Sequence, residues 1–318
     1  MLQKTIYCFG VINQDILLYP VNQWPEPGGL EYAEQVTFLP GGTALNSALV
    51  IQQLGLSKVE LLGCIGEDQA GDLIITALSE RRIGSGGVLR IPGINTGVCV
   101  VTVNSSGERS LLYSAGANNS IRAFDFFSKR IEKGSMVHLG GVLDLPILAG
   151  KNLQAVVELL KGKDCFISVD LAWDWHQFGW DAIQPSLIHV DVVTLNQQEA
   201  FQITGENEVA EAAKMIHEGG CPFVVIKMGN QGAFVHRADF KGLVPGFKVK
   251  AVDCTGAGDA FSGALVSALS IQMPPVEAVR FANAAGACCV TQIGPIAGIL
   301  NYSETMQFIH SQSNPDKD

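Results

Sequence analysis

The sequence predicts an α/β fold built on a parallel sheet that helices cover on both faces. Short, continuously apolar runs of strand length alternate with longer amphipathic runs of helix length. Strands buried on both faces read as continuous apolar runs, and parallel strands need a crossover, usually a helix, between them. With 318 residues, 47% of them hydrophobic and 16% charged, the chain has ample apolar material for one large domain or two smaller ones.

The individual elements follow from where these runs begin and end. Strands are predicted for the apolar runs 5–11, 59–64, 136–140, 165–169, 191–195 and 223–228. Helices are predicted for the amphipathic runs 43–54, 71–82, 152–161, 208–218, 259–270 and 275–290. Several helical runs directly follow a strand run, as expected for βα units.

Two segments, 12–40 and 96–115, do not fit this alternation. The first is rich in proline and glycine and alternates around 30–38, and the second reads as a hairpin with a polar turn at 104–109. We expect a small, separate β-sheet that forms a lid over a cleft, with an extension of the main sheet as the alternative. The α/β core then comprises 1–11, 41–95 and 116–318, of which the polar end 311–318 is predicted to be a disordered tail.

Charge and composition exclude several classes of partner and site. The net charge is −10 and no Lys/Arg-rich run occurs, so neither nucleic acid nor an anionic membrane is an expected partner. No apolar run reaches the ~18 residues of a membrane span and no secretory signal pattern is present, which predicts a cytoplasmic protein. The eight cysteines form no CxxC pair and the six histidines lack ligand spacing, so we expect reduced core thiols rather than disulfides or a zinc site.

The stretch VDCTGAGDAFSGAL, residues 252–265, carries the strongest local signal. Apolar residues after Asp259 recur at helical spacing, which predicts a helix that begins near Gly258 or Asp259. Gly256 and Gly258 let the backbone approach a ligand closely, and free N–H groups at a helix start attract an anion. At that position Asp259 either caps the helix or takes a proton from a hydroxyl that attacks a bound phosphoryl group.

Five motifs together resemble those of the ribokinase-like (PfkB) carbohydrate kinases. DCTGAGDAF is similar to the family's C-terminal signature and departs from it only at Cys254, and PGGTALNSALVIQQLGL (40–56) resembles the N-terminal signature. GVINQD (10–15), LNQQEA (195–200) and IKMGNQGAF (226–234) resemble the first substrate loop, the N-x-x-E motif and the turn that flanks the nucleotide. The resemblance covers almost the full length. It implies a three-layer α/β/α sandwich with a mostly parallel central sheet and a small β-sheet lid.

The same resemblance implies ATP-dependent phosphorylation of a sugar hydroxyl. Asp259 would be the base that activates the hydroxyl, and the N–H groups of Gly256, Ala257 and Gly258 would form an anion hole for the transferring phosphate. Asn196 and Glu199 would organise Mg²⁺ and the phosphates through water molecules. A helix cap at a strand end is the alternative for these two residues.

A second set of residues is implied to face the sugar. It consists of Asp15, Gly41, Gly42, Asn46, Asn118 and Asp144. Carboxylates and amides suit the hydroxyls of a polyol, and the two glycines let the substrate lie against the backbone. The stretch WDWHQFGW (173–180) lacks the Asn and Arg that fructokinase-like and ketodeoxygluconate-kinase-like members have there, so ribose, fructose, ketodeoxygluconate and other small polyols stay open.

On the nucleotide side, the resemblance places Lys227, Gly229, Gly232 and Asn283 near ATP. Most family members have Thr or a small residue where Lys227 stands, so this lysine either pairs with phosphate or is a surface lysine. Asp253 and Thr255 resemble the loop that holds a monovalent cation in ribokinase. The departures in QIGPIAG (292–298) leave open whether K⁺ is required.

The leading hypothesis is a kinase that phosphorylates a hydroxymethyl group of a small sugar. A nucleoside kinase of the same fold is the alternative, but segment 96–115 contains no Phe or Trp to stack on a base, which favours a sugar. A catalytically silent sensor of sugar or nucleotide is the alternative from another class, and Asp259 argues against it because binding alone needs no base. The lid strands also predict a homodimer, through pairing with a second subunit.

Overall fold

The computed structural model describes residues 5–106, 108–120 and 123–313. The strands in this part of the chain are β1 (Thr5–Gly10), β2 (Asn13–Tyr19), β3 (Gln35–Gly41), β4 (Lys58–Gly66), β5 (Gly84–Ile91), β6 (Gly97–Val103), β7 (Arg109–Ser114), β8 (Met136–Gly140), β9 (Phe166–Asp170), β10 (Val192–Asn196), β11 (Val224–Lys227), β12 (Gly232–His236) and β13 (Lys241–Pro245). The helices are α1 (Thr43–Leu54), α2 (Gln69–Glu80), α3 (Ala123–Arg130), α4 (Lys151–Gly162), α5 (Gln184–Leu187), α6 (Gln197–Thr204), α7 (Val209–Glu218), α8 (Ala257–Ser270), α9 (Pro275–Cys289) and α10 (Tyr302–Ser313).

The large sheet has the strand order β13-β12-β11-β10-β9-β8-β1-β4-β5. The strands from β11 to β5 are parallel to their neighbours, and only β12 and β13 at one edge are antiparallel. In a parallel sheet the carboxyl ends of the strands lie at one edge, where α/β proteins bind ligands. Asp170 and Asn196, the last residues of β9 and β10, therefore lie at the same edge.

Helices cover both faces of this sheet. Alternate residues of β1 pack on opposite sides, because side chains of a strand alternate: Tyr7 and Phe9 pack with residues of α3, α4, α6 and α7, and Ile6 and Cys8 with residues of α1 and α2. Helices α8, α9 and α10 share a third cluster with the end of α1. The predicted three-layer α/β/α architecture is confirmed.

The predicted elements of the core are all present, with ends within two residues of the predicted ones. Elements that were not predicted include β5, β12 and β13. Strand β5 has the sequence GSGGVLRI, in which glycines interrupt the apolar run. Strand β13 is the antiparallel edge strand, in which only Val244 is buried, and its neighbour β12 is a short run bounded by Gly232 and His236.

The two out-of-rhythm segments form a separate four-stranded sheet with the order β3-β2-β6-β7, so they do not extend the main sheet. Strand β2 is parallel to β6, whereas the outer pairs are antiparallel. The hairpin turn closes with a bond from Asn104 N to Glu108 O of 2.9 Å, and Gly107 within it is outside the described residues. Leu17, Cys99 and Val101 form a small core for this sheet.

The C-terminal end differs from the predicted disordered tail. Helix α10 continues through Ser313, which takes it into the segment 311–318, and residues 314–318 lie outside the described part of the chain. Across the described residues, no helix combines the length and apolar character needed to cross a membrane.

Candidate active site

Helix α8 begins at Ala257, close to the start near Gly258 or Asp259 that the stretch 252–265 predicts. Its N-cap is Gly256, whose φ of 75° lies in the left-handed region that favours glycine, and a Cβ there would make a tight 3.3 Å contact with Pro295 Cβ. No side chain caps the helix, so Asp259 in the first turn is not spent on capping. The Ala257 N–H donates to the Cys254 carbonyl over a long 3.3 Å, and the anion hole assigned to Gly256, Ala257 and Gly258 stays a prediction.

Asn46 holds the carboxylate of Asp259 directly. Asn46 Nδ2 donates to Asp259 Oδ2 at 2.8 Å, and Ser47 Oγ donates to the Asp259 carbonyl at 3.3 Å. These contacts join the N-terminal and C-terminal motifs of the sequence. Burial raises the pKa of Asp259 to about 7, and although the Asn46 hydrogen bond and the Lys227 charge act in the opposite direction, they do not cancel it.

A cavity of about 460 Å³ opens beside this carboxylate, and we call it the Asp259 cavity. It is lined by Thr43, Asp170, Ala172, Asn196, Gln197, Gln198, Glu199, Lys227, Met228, Gly229, Gly258 and Asp259. Lys227 reaches Asp170 Oδ2 at 2.8 Å, and its side chain is only 14% exposed. The alternative that Lys227 is a surface lysine is therefore wrong.

Asn196 and Glu199 form a helix cap and line the cavity at the same time. The Asn196 side chain accepts from the Glu199 N–H at 2.9 Å, while Glu199 Oε2 accepts from the Asn196 N–H at 2.6 Å. This cap uses one oxygen of each side chain. Burial raises the pKa of Glu199, and the Lys227 charge opposes this.

These two residues fit a water-mediated Mg²⁺. Among the described residues, nothing bonds to Glu199 Oε1, so this oxygen can accept from a water of the ion, and Mg²⁺ commonly retains several waters. The assignment of Mg²⁺ to Asn196 and Glu199 stays a prediction.

Asp15 lies in strand β2 rather than in a loop, and Gly41 lies opposite its carboxylate. A Cβ at Gly41 would lie 2.2 Å from Asp15 Oδ2, so only glycine leaves space for that oxygen. Asn13 Nδ2 donates to Asp15 Oδ1 at 2.5 Å. Burial raises the pKa of Asp15 to about 6 despite this bond.

The carboxylate of Asp144 and the hydroxyl of Thr43, which lines the Asp259 cavity, both lie close to Gly141. A Cβ at Gly141 would lie 3.1 Å from Asp144 Oδ2 and 2.7 Å from Thr43 Oγ1. Burial, together with the charges of Glu199, Asp259 and Asp170, raises the pKa of Asp144 to about 7. Gly42, the N-cap of α1, precedes Thr43.

Two buried polar atoms in this region have no hydrogen-bond partner among the described residues. They are Thr43 Oγ1 and Asn46 Oδ1. Buried polar atoms normally find partners, so unpaired ones at a cleft indicate a ligand or water. Thr43 was not singled out from the sequence.

The side-chain amide of Asn118 forms hydrogen bonds within the protein. Its Oδ1 accepts from the Ile12 N–H at 3.0 Å, and its Nδ2 donates to the carbonyls of Ile12 and Ala115 and to the Tyr113 hydroxyl. This bonding joins Ile12, in the link between β1 and β2, to the end of β7. A sugar contact by Asn118 stays a prediction.

A second cavity of about 620 Å³, the Asn283 cavity, lies on the other side of Gly258. Its lining includes all four residues predicted to be near ATP: Lys227, Gly229, Gly232 and Asn283. Asn283 Nδ2 donates to the carbonyls of Val244 and Pro245, which holds the end of β13 against α9. Phe247, Val249, Phe261 and Val290 give the cavity apolar walls.

The loop before α8 is organised by Asp253. Its Oδ1 accepts from the N–H and hydroxyl of Thr255, and its Oδ2 accepts from the Gly294 N–H at 2.9 Å. From the lid, Arg109 donates to Thr255 Oγ1 at 2.9 Å. A monovalent cation at Asp253 and Thr255 stays a prediction.

Comparison with known proteins decides the family. The chain matches the profile described as "pfkB family carbohydrate kinase" over residues 3–301. The chain belongs to this family. Ribokinase of Haemophilus influenzae is 29% identical over 313 residues, covering 97% of this chain and 99% of that protein. Fructokinase-1 of Zea mays is 28% identical over 302 residues, covering 90% of this chain and 93% of that protein.

The fold agrees with that of solved family members. The crystal structure of ribokinase from Thermotoga maritima matches with a TM-score of 0.81 at 28% identity, over 96% of this chain and 99% of that one. The predicted family and fold are confirmed, and the protein is a carbohydrate kinase.

The stretch that follows β9 is organised by Asp174. Its carboxylate accepts from the N–H groups of Phe178 and Gly179 at 3.0 and 2.8 Å. Trp180 packs against the core, whereas Trp175 is 73% exposed. Asp170, which binds Lys227, could have been found from its place at the end of a parallel strand.

Proposed function

We propose that this kinase transfers the γ-phosphoryl group of ATP to a hydroxymethyl group of a small sugar. The observation that carries the proposal is the hydrogen bond between Asn46 and Asp259. This bond supports the proposal because it joins Asn46, which we assign to the sugar, to a carboxylate in the first turn of α8 whose pKa burial raises to about 7. A general base is most useful when its pKa lies near the working pH.

The side chains around Asp259 suit a ligand that brings many hydrogen-bond donors. Asp15, Asp144 and Asp259 offer carboxylate oxygens, and Asn46 Oδ1 and Thr43 Oγ1 are buried without partners among the described residues. Hydroxyls of a polyol can donate to each of these acceptors. The relatives named ribokinase and fructokinase agree with a sugar as the acceptor substrate.

The proposed reaction uses Asp259 as the base. The substrate hydroxyl oxygen forms a bond to the γ-phosphorus, the bond from that phosphorus to the bridging oxygen of ADP breaks, and the hydroxyl proton moves to the Asp259 carboxylate. Backbone N–H groups of Gly256, Ala257 and Gly258, at the positive end of α8, stabilise the charge on the phosphoryl oxygens. The purine occupies the Asn283 cavity, between apolar walls.

The proposed reaction also involves Mg²⁺, which would bind the phosphates of ATP. When bound, it would neutralise charge on the phosphate oxygens. Asn196 and Glu199 would hold it through water, from the end of β10 and the start of α6.

The test is an assay of the purified protein with Mg-ATP and a panel of pentoses, hexoses, sugar acids and nucleosides. We expect phosphorylation of at least one sugar, with a chemical-shift change at its hydroxymethyl carbon in ¹³C NMR. If only nucleosides are phosphorylated, the substrate is a nucleoside and the proposed sugar is wrong. If no compound is phosphorylated, the proposed activity is contradicted.

We further propose that the protein is a cytoplasmic homodimer that associates through the lid. Val36 and Phe38 of β3 and Leu111 and Leu112 of β7 are 52–61% exposed, on the two edge strands of the small sheet. All eight cysteines are unpaired, which suits a reducing compartment. Light scattering that finds only monomer at micromolar concentration would contradict the dimer.

A further inference from the structure

Lys227 lies at the junction of the two cavities. It lines both the Asp259 cavity and the Asn283 cavity, as do Gly229 and Gly258. A Cβ at Gly258 would lie 3.4 Å from Lys227 Nζ, so the ammonium group lies beside the first turn of α8. A nucleotide that spans both cavities must pass this group.

Lys227 is also the only cation among the residues that line the Asp259 cavity, within the part of the chain that the structure describes. Three carboxylates, of Asp170, Glu199 and Asp259, line the same cavity. A phosphoryl group would bring further negative charge into this acidic site. Besides the Mg²⁺ and backbone N–H groups of the proposed reaction, Lys227 is the side chain in this lining that can offset that charge.

A buried network fixes the ammonium group. Lys227 Nζ donates to Asp170 Oδ2 at 2.8 Å, and Ser262 Oγ donates to the same oxygen at 2.5 Å. Thr194 Oγ1 lies 3.1 Å from Ser262 Oγ, and neither residue is exposed to solvent. An ammonium group has three N–H donors, so the bond to Asp170 leaves two for a ligand.

We propose that Lys227 is a catalytic residue whose ammonium group binds the phosphoryl group during its transfer. Asp170 is the positioning residue that aims it, and Ser262 and Thr194 hold Asp170 in place. This inference rests on the proposed phosphoryl transfer. It assigns a role to a network that joins β9, β10, β11 and α8 beneath the site.

Nucleotide binding tests the proposal without knowledge of the sugar. Calorimetry would give the dissociation constants of ADP and of a non-hydrolysable ATP analogue for the wild type, K227M and K227R. Since a charge-assisted hydrogen bond to the γ-phosphate is lost, we expect K227M to weaken the analogue about 10-fold more than ADP. K227R, which retains the charge, should lose less. A K227M effect that differs by less than about threefold between the two nucleotides would overturn the proposal.

The positioning network has its own test. S262A and T194V remove hydroxyls, whereas T194S retains one. We expect the preference for the ATP analogue over ADP to fall about threefold in S262A, by less in T194V, and not in T194S, because the misaligned lysine loses part of a charge-assisted bond. The nucleotide preference could instead stay unchanged in both S262A and T194V while the melting temperature falls. That result would show that Asp170 stabilises the fold and does not position Lys227 for the nucleotide.

Two further variants keep the test decisive. If K227M fails to fold because Asp170 is left buried without a partner, the double variant K227M/D170N removes both charges and should show the same loss of preference. The matched control is K161M, which breaks the pair of Lys161 and Asp191 at 2.7 Å. It should leave the nucleotide preference unchanged. A wild type that binds both nucleotides but phosphorylates no sugar would contradict the proposed function and still test Lys227.

Discussion

The two sides of the α8 N-terminus differ in what they offer a ligand. On one side, Asp15, Asp144 and Asp259 present carboxylates whose pKa values burial raises to between about 6 and 7. On the other side, Phe247, Val249, Phe261 and Val290 give the Asn283 cavity apolar walls, and Asn283, one of its polar residues, is already bonded to the backbone of β13. The first side offers carboxylates that can exchange protons with a ligand, and the second offers apolar walls that can enclose a ligand's apolar surface. Substitutions on the two sides should therefore change different kinetic constants.

The largest effect is expected for D259N. This substitution keeps the shape of the side chain but removes the base, so kcat should fall about 10³-fold while sugar binding by calorimetry stays within about threefold. D72N is the matched control, since Asp72 also lies in the first turn of a helix but pairs with Arg90 at the surface. A D259N enzyme with more than a tenth of the wild-type kcat would show that another group takes the proton.

The pH dependence of the reaction tests the same side. Because the carboxylate of Asp259 must be ionised to accept a proton, kcat/KM should rise with pH up to about 7 and then level off, with a tenfold loss for each pH unit below. Asp144 also has a pKa of about 7, so D144N should be measured in parallel. If D144N loses the acidic limb of the profile, the limb belongs to Asp144.

A smaller effect is expected on the nucleotide side. Gly286 of α9 lines the Asn283 cavity, where a Cβ would lie 3.5 Å from the Ala257 carbonyl and 3.9 Å from Phe261 Cβ. G286L should therefore raise the KM for ATP about 10-fold, with kcat within about threefold, because it fills space without touching the base. G162L, at a helical glycine with open space around it, is the control. If G286L changes the KM for ATP and the KM for the sugar equally, the two sides of the α8 N-terminus do not bind separate substrates.

The smallest effect concerns stability. The pKa of Asp144 rises from 3.8 in the unfolded chain to about 7 on folding, so the folded state binds more protons in that range. Its contribution to stability is therefore most favourable at low pH and is lost as pH rises toward 7. D144N should raise the melting temperature by roughly 2 °C at pH 8 and have little effect near pH 4. D181N, at an exposed aspartate, should do neither.

The sequence predicts the core and much of the site for a physical reason. Strands buried on both faces, such as β10, leave a continuous apolar signal, whereas the glycine-rich β5, the edge strand β13 and the short β12 beside it do not. The motif around Asp259 predicts a base at a helix start. The hydrogen bond between Asp259 and Asn46 joins residues far apart in sequence, and no local sequence pattern encodes such a contact.

Residues with two roles were harder to predict. Asn196 and Glu199 were assigned to either a cap or a cation site, and the structure makes them a cap that also lines the Asp259 cavity. The sequence does not distinguish a phosphate-binding Lys227 from a surface lysine, because the buried ion pair with Asp170 joins residues far apart in the chain. Thr43 and Ser262 carry no signal of their own, because a lone hydroxyl in an apolar run looks like any other helical residue.

The bond between Asn46 and Asp259 joins residues 213 positions apart. During synthesis, the residues proposed to face the sugar, Asp15, Gly41 and Asn46, leave the ribosome long before Asp259, the proposed base. A nascent or truncated chain that ends before α8 thus lacks both the carboxylate and the helix start beside it. Under the proposed reaction, such a fragment would not transfer phosphate, so the order of the motifs along the chain would delay activity until synthesis is nearly complete.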